Sequence, residues 1–263
     1  MSPAGDRNRT LLFVLAVSAA VFALASAPYL YGALTAGPEA VYTGLMYDVP
    51  DHAQYWSWVT ASREGLFISN TMTPEPNPAV FMNPMMWALS RVQSAFGLSF
   101  PALFQAWRVI ATLALVWALV AFLRAVVPDA AVRTTALWLS LAGSGFGWML
   151  VIWKTAGRLP DVPFPGDLYT IEPNTFWGLL AYPYIALAQG LLLLSVLMVW
   201  RAHRRPGPRS CLLAGLAALG LALVHAYDLI ILYAIIAAFA LALTVRDRRL
   251  PVSLIGAGVA VAA

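Results

Sequence analysis

The sequence predicts an all-α membrane protein, a polytopic bundle of transmembrane helices with one large outer loop. Two observations carry this. Of 263 residues, 61% are hydrophobic and 11% charged, with a mean hydropathy of +0.75. A soluble domain of this length cannot keep so much apolar surface out of water. The apolar residues also gather into continuous runs at about 11–35, 102–127, 134–153 and 176–200, each matching the roughly 20 helical residues that cross a bilayer. Residues 1–263 read as a single transmembrane domain.

The first run follows "MSPAGDRNRT". Its "ASA" at 25–27 offers a small-residue cleavage pattern, but the apolar stretch continues past it to Leu34, which favours a retained span. Between the second and third runs lie Arg124 and Arg133. After the fourth comes "RAHRRPGPR" (201–209), and "RDRR" (246–249) follows a further apolar stretch. Together with Arg7 and Arg9 these segments hold eleven of the sixteen Lys and Arg residues. The carboxylates Glu39, Asp48, Asp51, Glu64, Glu75, Asp161, Asp167 and Glu172 lie instead in segments 36–101 and 154–175. By the positive-inside rule the N-terminus is cytoplasmic and those two segments are outer loops.

Both basic clusters, 201–209 and 246–249, then belong on one side, so residues 211–245 cross an even number of times. Thirty-five helical residues extend about 52 Å, short for two full spans with a loop. The expectation is a pair of short helices, 211–225 and 228–245, meeting near "HAYD" at a recessed, outward-opening cavity. The last apolar segment, 252–263, is only part of a span, so the chain is expected to belong to a longer protein. The single cysteine, Cys211, offers neither a disulfide nor a thiolate metal site. Basic residues scattered between apolar runs do not form a nucleic-acid face, so the implied partner is the lipid bilayer.

The first outer loop is too long and patterned for a connector. In "YDVPDHAQYWSWVTASREG", Asp51 and Gln54 approximate a capping box opening a helix that ends near Gly65. Asn83 and Pro84 cap and begin a second helix stopping at Gly97. On it Met85, Leu89, Val92 and Phe96 share one face, as in a helix lying parallel to the membrane. The aromatic residues Tyr55, Trp56, Trp58 and Trp87 suit headgroup depth.

One N-terminal span, a large acidic outer loop with two membrane-parallel helices and then many spans resembles the polytopic glycosyltransferases of the GT-C superfamily. The blocks "DHAQYWSW", "TPEPNP", "GSGFGWML", "EPNTFWGLL" and "HAYDLI" are similar to those of bacterial membrane proteins described as glycosyltransferase-like. The resemblance implies a multi-pass enzyme of the bacterial cytoplasmic (inner) membrane. It implies a polyprenyl-phosphate-linked sugar as donor, a glycan or lipid as acceptor, and Asp51 or Asp48 as the outer-face base. The sequence departs from the better-known members in lacking an adjacent acidic pair, since Val49 and Pro50 intervene.

Each candidate has a functional and a structural reading. Asp51 is a general base or a helix cap; Asp48 has no evident capping task. His52 stands beside Asp51 and can assist it. His225 and Asp228, spaced i and i+3, form a substrate site or a bond that pins two helices. Arg108, inside the second long span, attracts a lipid phosphate or snorkels. Lys154 and Arg158 in the second loop, and Arg91 on the interfacial helix, are phosphate contacts or solvated charges. Glu172, in an "EPN" that recurs at 75–77, is a further substrate candidate. His203, among arginines, reads as a bystander. "GSGFG" (143–147) follows no strand and is no phosphate loop; its glycines read as helix-packing positions. No cofactor is indicated, and His225 with Asp228 is too small a set to argue for a divalent metal. Two rival readings stand beside the enzyme: a transporter or lipid-handling protein, and a non-catalytic membrane scaffold.

Overall fold

A computed structural model describes residues 3–143, 145–158, 163, 165–170 and 174–262. The chain is an all-α, multi-pass membrane protein. Five helices are long and apolar enough to cross a bilayer: α1 (Pro3–Thr35), α4 (Phe100–Val126), α9 (Pro183–Arg204), α10 (Pro208–His225) and α11 (Asp228–Asp247). Between α1 and α4 lie α2 (Val49–Ala61), the two-residue strands β1 (Phe67–Ile68) and β2 (Phe81–Met82), and α3 (Pro84–Phe96). The strands pair antiparallel, Phe67 opposite Met82, and close the 69–80 loop.

The third expected span, 134–153, is broken. It forms α5 (Ala130–Ala142) and α6 (Gly147–Thr155), bent by 44° across the glycine-rich junction. Asp167, on the short helix α7 (Gly166–Tyr169), accepts a bond from the Gly147 backbone N–H at 2.8 Å. A Cβ at Gly145 or Gly147 would collide with the Asp167 carboxylate. These glycines therefore make room for a carboxylate at the break, not for helix packing as expected. The fourth run likewise divides into α8 (Thr175–Ala181) and α9 at Tyr182 (φ −132°, ψ 75°), because Pro183 forces its predecessor out of helical conformation.

The 211–245 region also departs from expectation. Helix α10 starts at Pro208, a residue suited to a first turn, and α11 runs on to Asp247. With 18 and 20 residues they reach about 27 and 30 Å, and each has the length of a span. This is possible because only Ala226 and Tyr227 join them. Helix α12 (Val252–Ala262) follows.

One apolar core joins α1, α4 and α5 through Val14, Val21, Leu115, Leu119 and Leu141. A second joins α9 to α12 through Val199, Ala218, Leu221, Leu232 and Leu254. The loop subdomain packs onto the first turns of α4 through Leu45, Val59, Met86, Phe100 and Phe104. The cap of α3 is as the sequence reads: Asn83 accepts from the Met86 N–H at 3.1 Å, and Gly97 ends the helix at φ 63°. Met86, Ser90 and Gln93 are buried against the protein, whereas Val92 and Phe96 of the expected membrane-facing side are exposed. Arg91 is part of this packing and donates to the Ser62 and Arg63 carbonyls at the end of α2.

Candidate functional site

A cavity of ≈ 400 Å³ lies where the loop subdomain meets the α10–α11 junction. Asp51, Gln54, Tyr55 and Trp58 line it from α2, Phe81 to Met86 from the hairpin and α3, Tyr184 from α9, and Ala222 to Tyr227 from the junction. Two groups that the sequence identified separately, Asp51 and His225, thus face one space.

On α2 neither aspartate caps through its side chain. Asp48 occupies the cap position with a left-handed backbone (φ 37°) and makes no side-chain cap bond, and Asp51, the expected cap, lies within the first turn. Tyr47 is left-handed too (φ 59°). Two consecutive non-glycine residues in this region store strain of the kind found at functional sites. The next turn of α2 carries Tyr55, four residues from Asp51 and so on the same face. Burial first, and then the Asp48 charge, push the Asp51 carboxyl above its ordinary pKa, opposed by His52. The shift brings the carboxyl closer to the range in which a general base accepts a proton.

His52 is fully buried beneath this turn and does not line the cavity. Its Nε2 lies 3.2 Å from the Met46 carbonyl oxygen, which only accepts, so Nε2 carries the proton and Nδ1 the lone pair. Burial depresses its pKa. The ring sits 4.9 Å from Phe104 and 5.2 Å from Tyr182, and its evident task is to hold the Met46–Asp48 turn.

At the opposite wall His225 Nδ1 is 3.2 Å from Asp228 Oδ1, both side chains mostly buried. The turn between them keeps helical dihedrals at Ala226 and Tyr227, which preserves the i, i+3 geometry. The His225 ring lies 5.9 Å from Tyr184 and 5.7 Å from Tyr227. The Tyr184 hydroxyl accepts from Tyr55, so an aromatic wall runs from α2 to α10.

The expected phosphate cations are not at this cavity. Arg108 is buried, and its Nε donates to Leu179 O (3.2 Å), Nη1 to Gln105 Oε1 (2.6 Å) and Nη2 to Ala25 O (2.9 Å). Its guanidinium also lies 4.1 Å from the centre of the Tyr29 ring. We assign it to fastening α1, α4 and α8, in place of the lipid-phosphate or snorkelling roles expected. Lys154, at the end of α6, and Arg158, just beyond it, line no part of the cavity. Glu172 lies outside the described residues. The recurring "EPN" is explained locally: Asn174 caps α8, and Asn77 binds the backbone of Asn70 and Glu75. His203 does not line the cavity; its Nδ1 lies 3.0 Å from Ser253 Oγ on α12.

Tyr184, Tyr227, Asn83 and Gln54 are cavity residues that sequence reasoning missed. Only Tyr55 carried a usable signal, its spacing from Asp51. Among the described residues no three His, Cys, Asp or Glu side chains come together as a metal-binding group. In comparison with protein-family models, curated proteins and solved structures the chain finds no match, and the chemistry of the cavity is argued from its own side chains.

Proposed function

We propose that the protein is a membrane glycosyltransferase of the GT-C kind, taking a sugar from a polyprenyl-phosphate donor at this cavity. In that reading the cavity opens on the outer face of a bacterial inner membrane and the N-terminus is cytoplasmic. The observation that carries it is the convergence of Asp51 and the His225–Asp228 pair on one cavity walled by Tyr55, Trp58, Tyr184 and Tyr227. Aromatic faces pack against the C–H faces of a sugar, while Gln54 and Asn83 offer amides to its hydroxyls; a few polar groups in an apolar wall are how small-molecule sites gain orientation.

In the proposed step the Asp51 carboxylate takes the proton of the acceptor hydroxyl. The acceptor oxygen bonds to the anomeric carbon as the bond from that carbon to the phosphate oxygen breaks, and the lipid phosphate leaves with the electron pair. His225, held by Asp228, is the cavity group able to become a cation and stands toward the phosphate. The test is transfer of labelled sugar from a panel of polyprenyl-phosphate donors in membranes containing the full-length protein. Donor-dependent product that disappears in Asp51→Asn supports the reading; no transfer with any donor, or undiminished transfer by Asp51→Asn, removes it.

A second reading, a transporter or lipid-handling protein, is favoured by one feature, the ionisable pair placed at a break between two spans. It predicts substrate movement across vesicles, abolished by Asp228→Asn, without covalent transfer.

A further inference from the structure

We propose that a cleft between α1, α4 and α5 binds the phosphate headgroup of an anionic phospholipid. The cleft measures ≈ 310 Å³ and is lined by Arg9 and Thr10 of α1, Arg124 of α4, and Arg133 and Thr134 of α5. Among the described residues no acidic side chain lines it. It lies where α1 begins and α4 ends, opposite the loop subdomain that joins their other ends. It is therefore separate from the Asp51 cavity, and the inference does not depend on the transferase reading.

Three arginines from three helices are more than a basic rim, because two of them are held in place. Arg124 Nη1 donates to Thr10 Oγ1, and Arg133 Nη1 donates to the carbonyl oxygens of Val127 (3.0 Å) and Pro128 (2.7 Å) just beyond α4. The Arg133 guanidinium, fixed through Nη1 alone, still presents the planar fork of its other nitrogens, and that fork matches phosphate oxygens. By contrast, at the end of α11 Arg248 and Arg249 are exposed and line none of the cavities described here.

The apolar half of the cleft decides for a lipid over a soluble anion. Phe13, Val120, Leu123 and Leu137 form its remaining wall, and Phe13 is 42% exposed on the outside of the bundle. At the end of a spanning helix such a wall lies at the level where headgroups give way to acyl chains. Basic pockets between transmembrane helices are suited to anionic headgroups. The volume equals about ten waters at ~30 Å³ each, sufficient for a phosphodiester with the first part of its glycerol.

The test uses the purified full-length chain in detergent, titrated with phosphatidylglycerol or phosphatidylcholine and read by native mass spectrometry. Wild-type protein is expected to prefer phosphatidylglycerol. Arg9→Gln with Arg133→Gln is expected to weaken that lipid about thirtyfold, at about fivefold per near-surface basic residue. Arg248→Gln with Arg249→Gln removes the same charge and should leave binding within about twofold. Arg9→Gln alone keeps the test open should loss of the Arg133 bonds disturb folding; Arg9 makes no side-chain hydrogen bond among the described residues, and about fivefold weakening is expected. Equal weakening by the two double variants would overturn the site in favour of a diffuse basic rim. Displacement of the lipid by millimolar inorganic phosphate would overturn the lipid assignment.

Discussion

The Tyr55 hydroxyl donates to the Tyr184 hydroxyl at 2.8 Å, and this contact fastens α2 of the loop subdomain to the first turn of α9. Tyr184 lies in turn 5.9 Å from His225, so the two hydroxyls sit at the meeting point of three elements that wall the cavity. Burial and the neighbouring Tyr184 hold the Tyr55 phenol far above its ordinary pKa, and it stays protonated as a donor. Tyr55→Phe should therefore lower stability by about 1 kcal/mol, the net worth of such a bond. The double variant with Tyr184→Phe should lose less than the sum of the two single losses, since the shared bond is then counted once. Additive losses in thermal unfolding of the two single variants and the double would show that the hydroxyls act independently.

The acid limb of activity should follow Asp51. In the proposed transfer Asp51 works ionised, so turnover falls as pH falls through its raised pKa, and Asp51→Asn should reduce turnover by about 10²–10⁴-fold. Part of the rise comes from the Asp48 charge. Asp48→Asn removes that like charge, lowers the Asp51 pKa and moves the acid limb to lower pH. An unmoved limb, or one displaced upward, would separate Asp48 from the site.

His52 should make stability pH-dependent in a defined direction. Its folded pKa lies below the ordinary 6.5 because burial disfavours the cation. Between the folded value and 6.5 the unfolded chain binds the extra proton, so stability is fully present above pH 6.5 and declines as pH falls through the window. His52→Gln should flatten that part of the thermal-stability profile. The same slope in the variant would assign the effect to another group.

Arg108→Ala leaves the carbonyls of Ala25 and Leu179 and the Gln105 amide oxygen without their buried donor. A loss of about 3 kcal/mol or more is expected, measured as folded yield and melting temperature in detergent. Full stability combined with weakened donor binding would return Arg108 to the phosphate-binding role that its sequence position implied.

Gly147→Ala should destabilise by about 1–3 kcal/mol, the usual cost of overpacking, because its Cβ collides with the Asp167 carboxylate. Asp167→Gly in the same chain should recover part of the loss by removing the obstacle. If Gly147→Ala melts as the wild type does, the carboxylate does not occupy this notch.

Several elements were legible before folding because their causes are local. Asn83, Pro84 and Gly97 delimit α3 through capping, fixed φ and left-handed tolerance, all within one segment. The span of α4 follows from unbroken apolar length, and His225 meets Asp228 because three residues separate them on a turn that stays helical. The capping alternative for Asp51 failed because a capping pattern does not reveal that Tyr47 and Asp48 enter the helix left-handed. The break between α5 and α6 was invisible because its cause, Asp167, lies 20 residues away.

The sequence by itself determined that this chain is an all-α, multi-pass membrane protein, since composition and run length decide what a bilayer accepts whatever the packing. It also singled out Asp51 and His225 as ionisable groups needing explanation. Only the tertiary structure decided that these two line one cavity, that Tyr184 stands between Tyr55 and His225, and that Arg108 serves the backbone carbonyls of α1 and α8. Those relations reach across as many as 174 positions of the chain. Contacts at such separations follow from how helices pack against one another, and no local pattern encodes them.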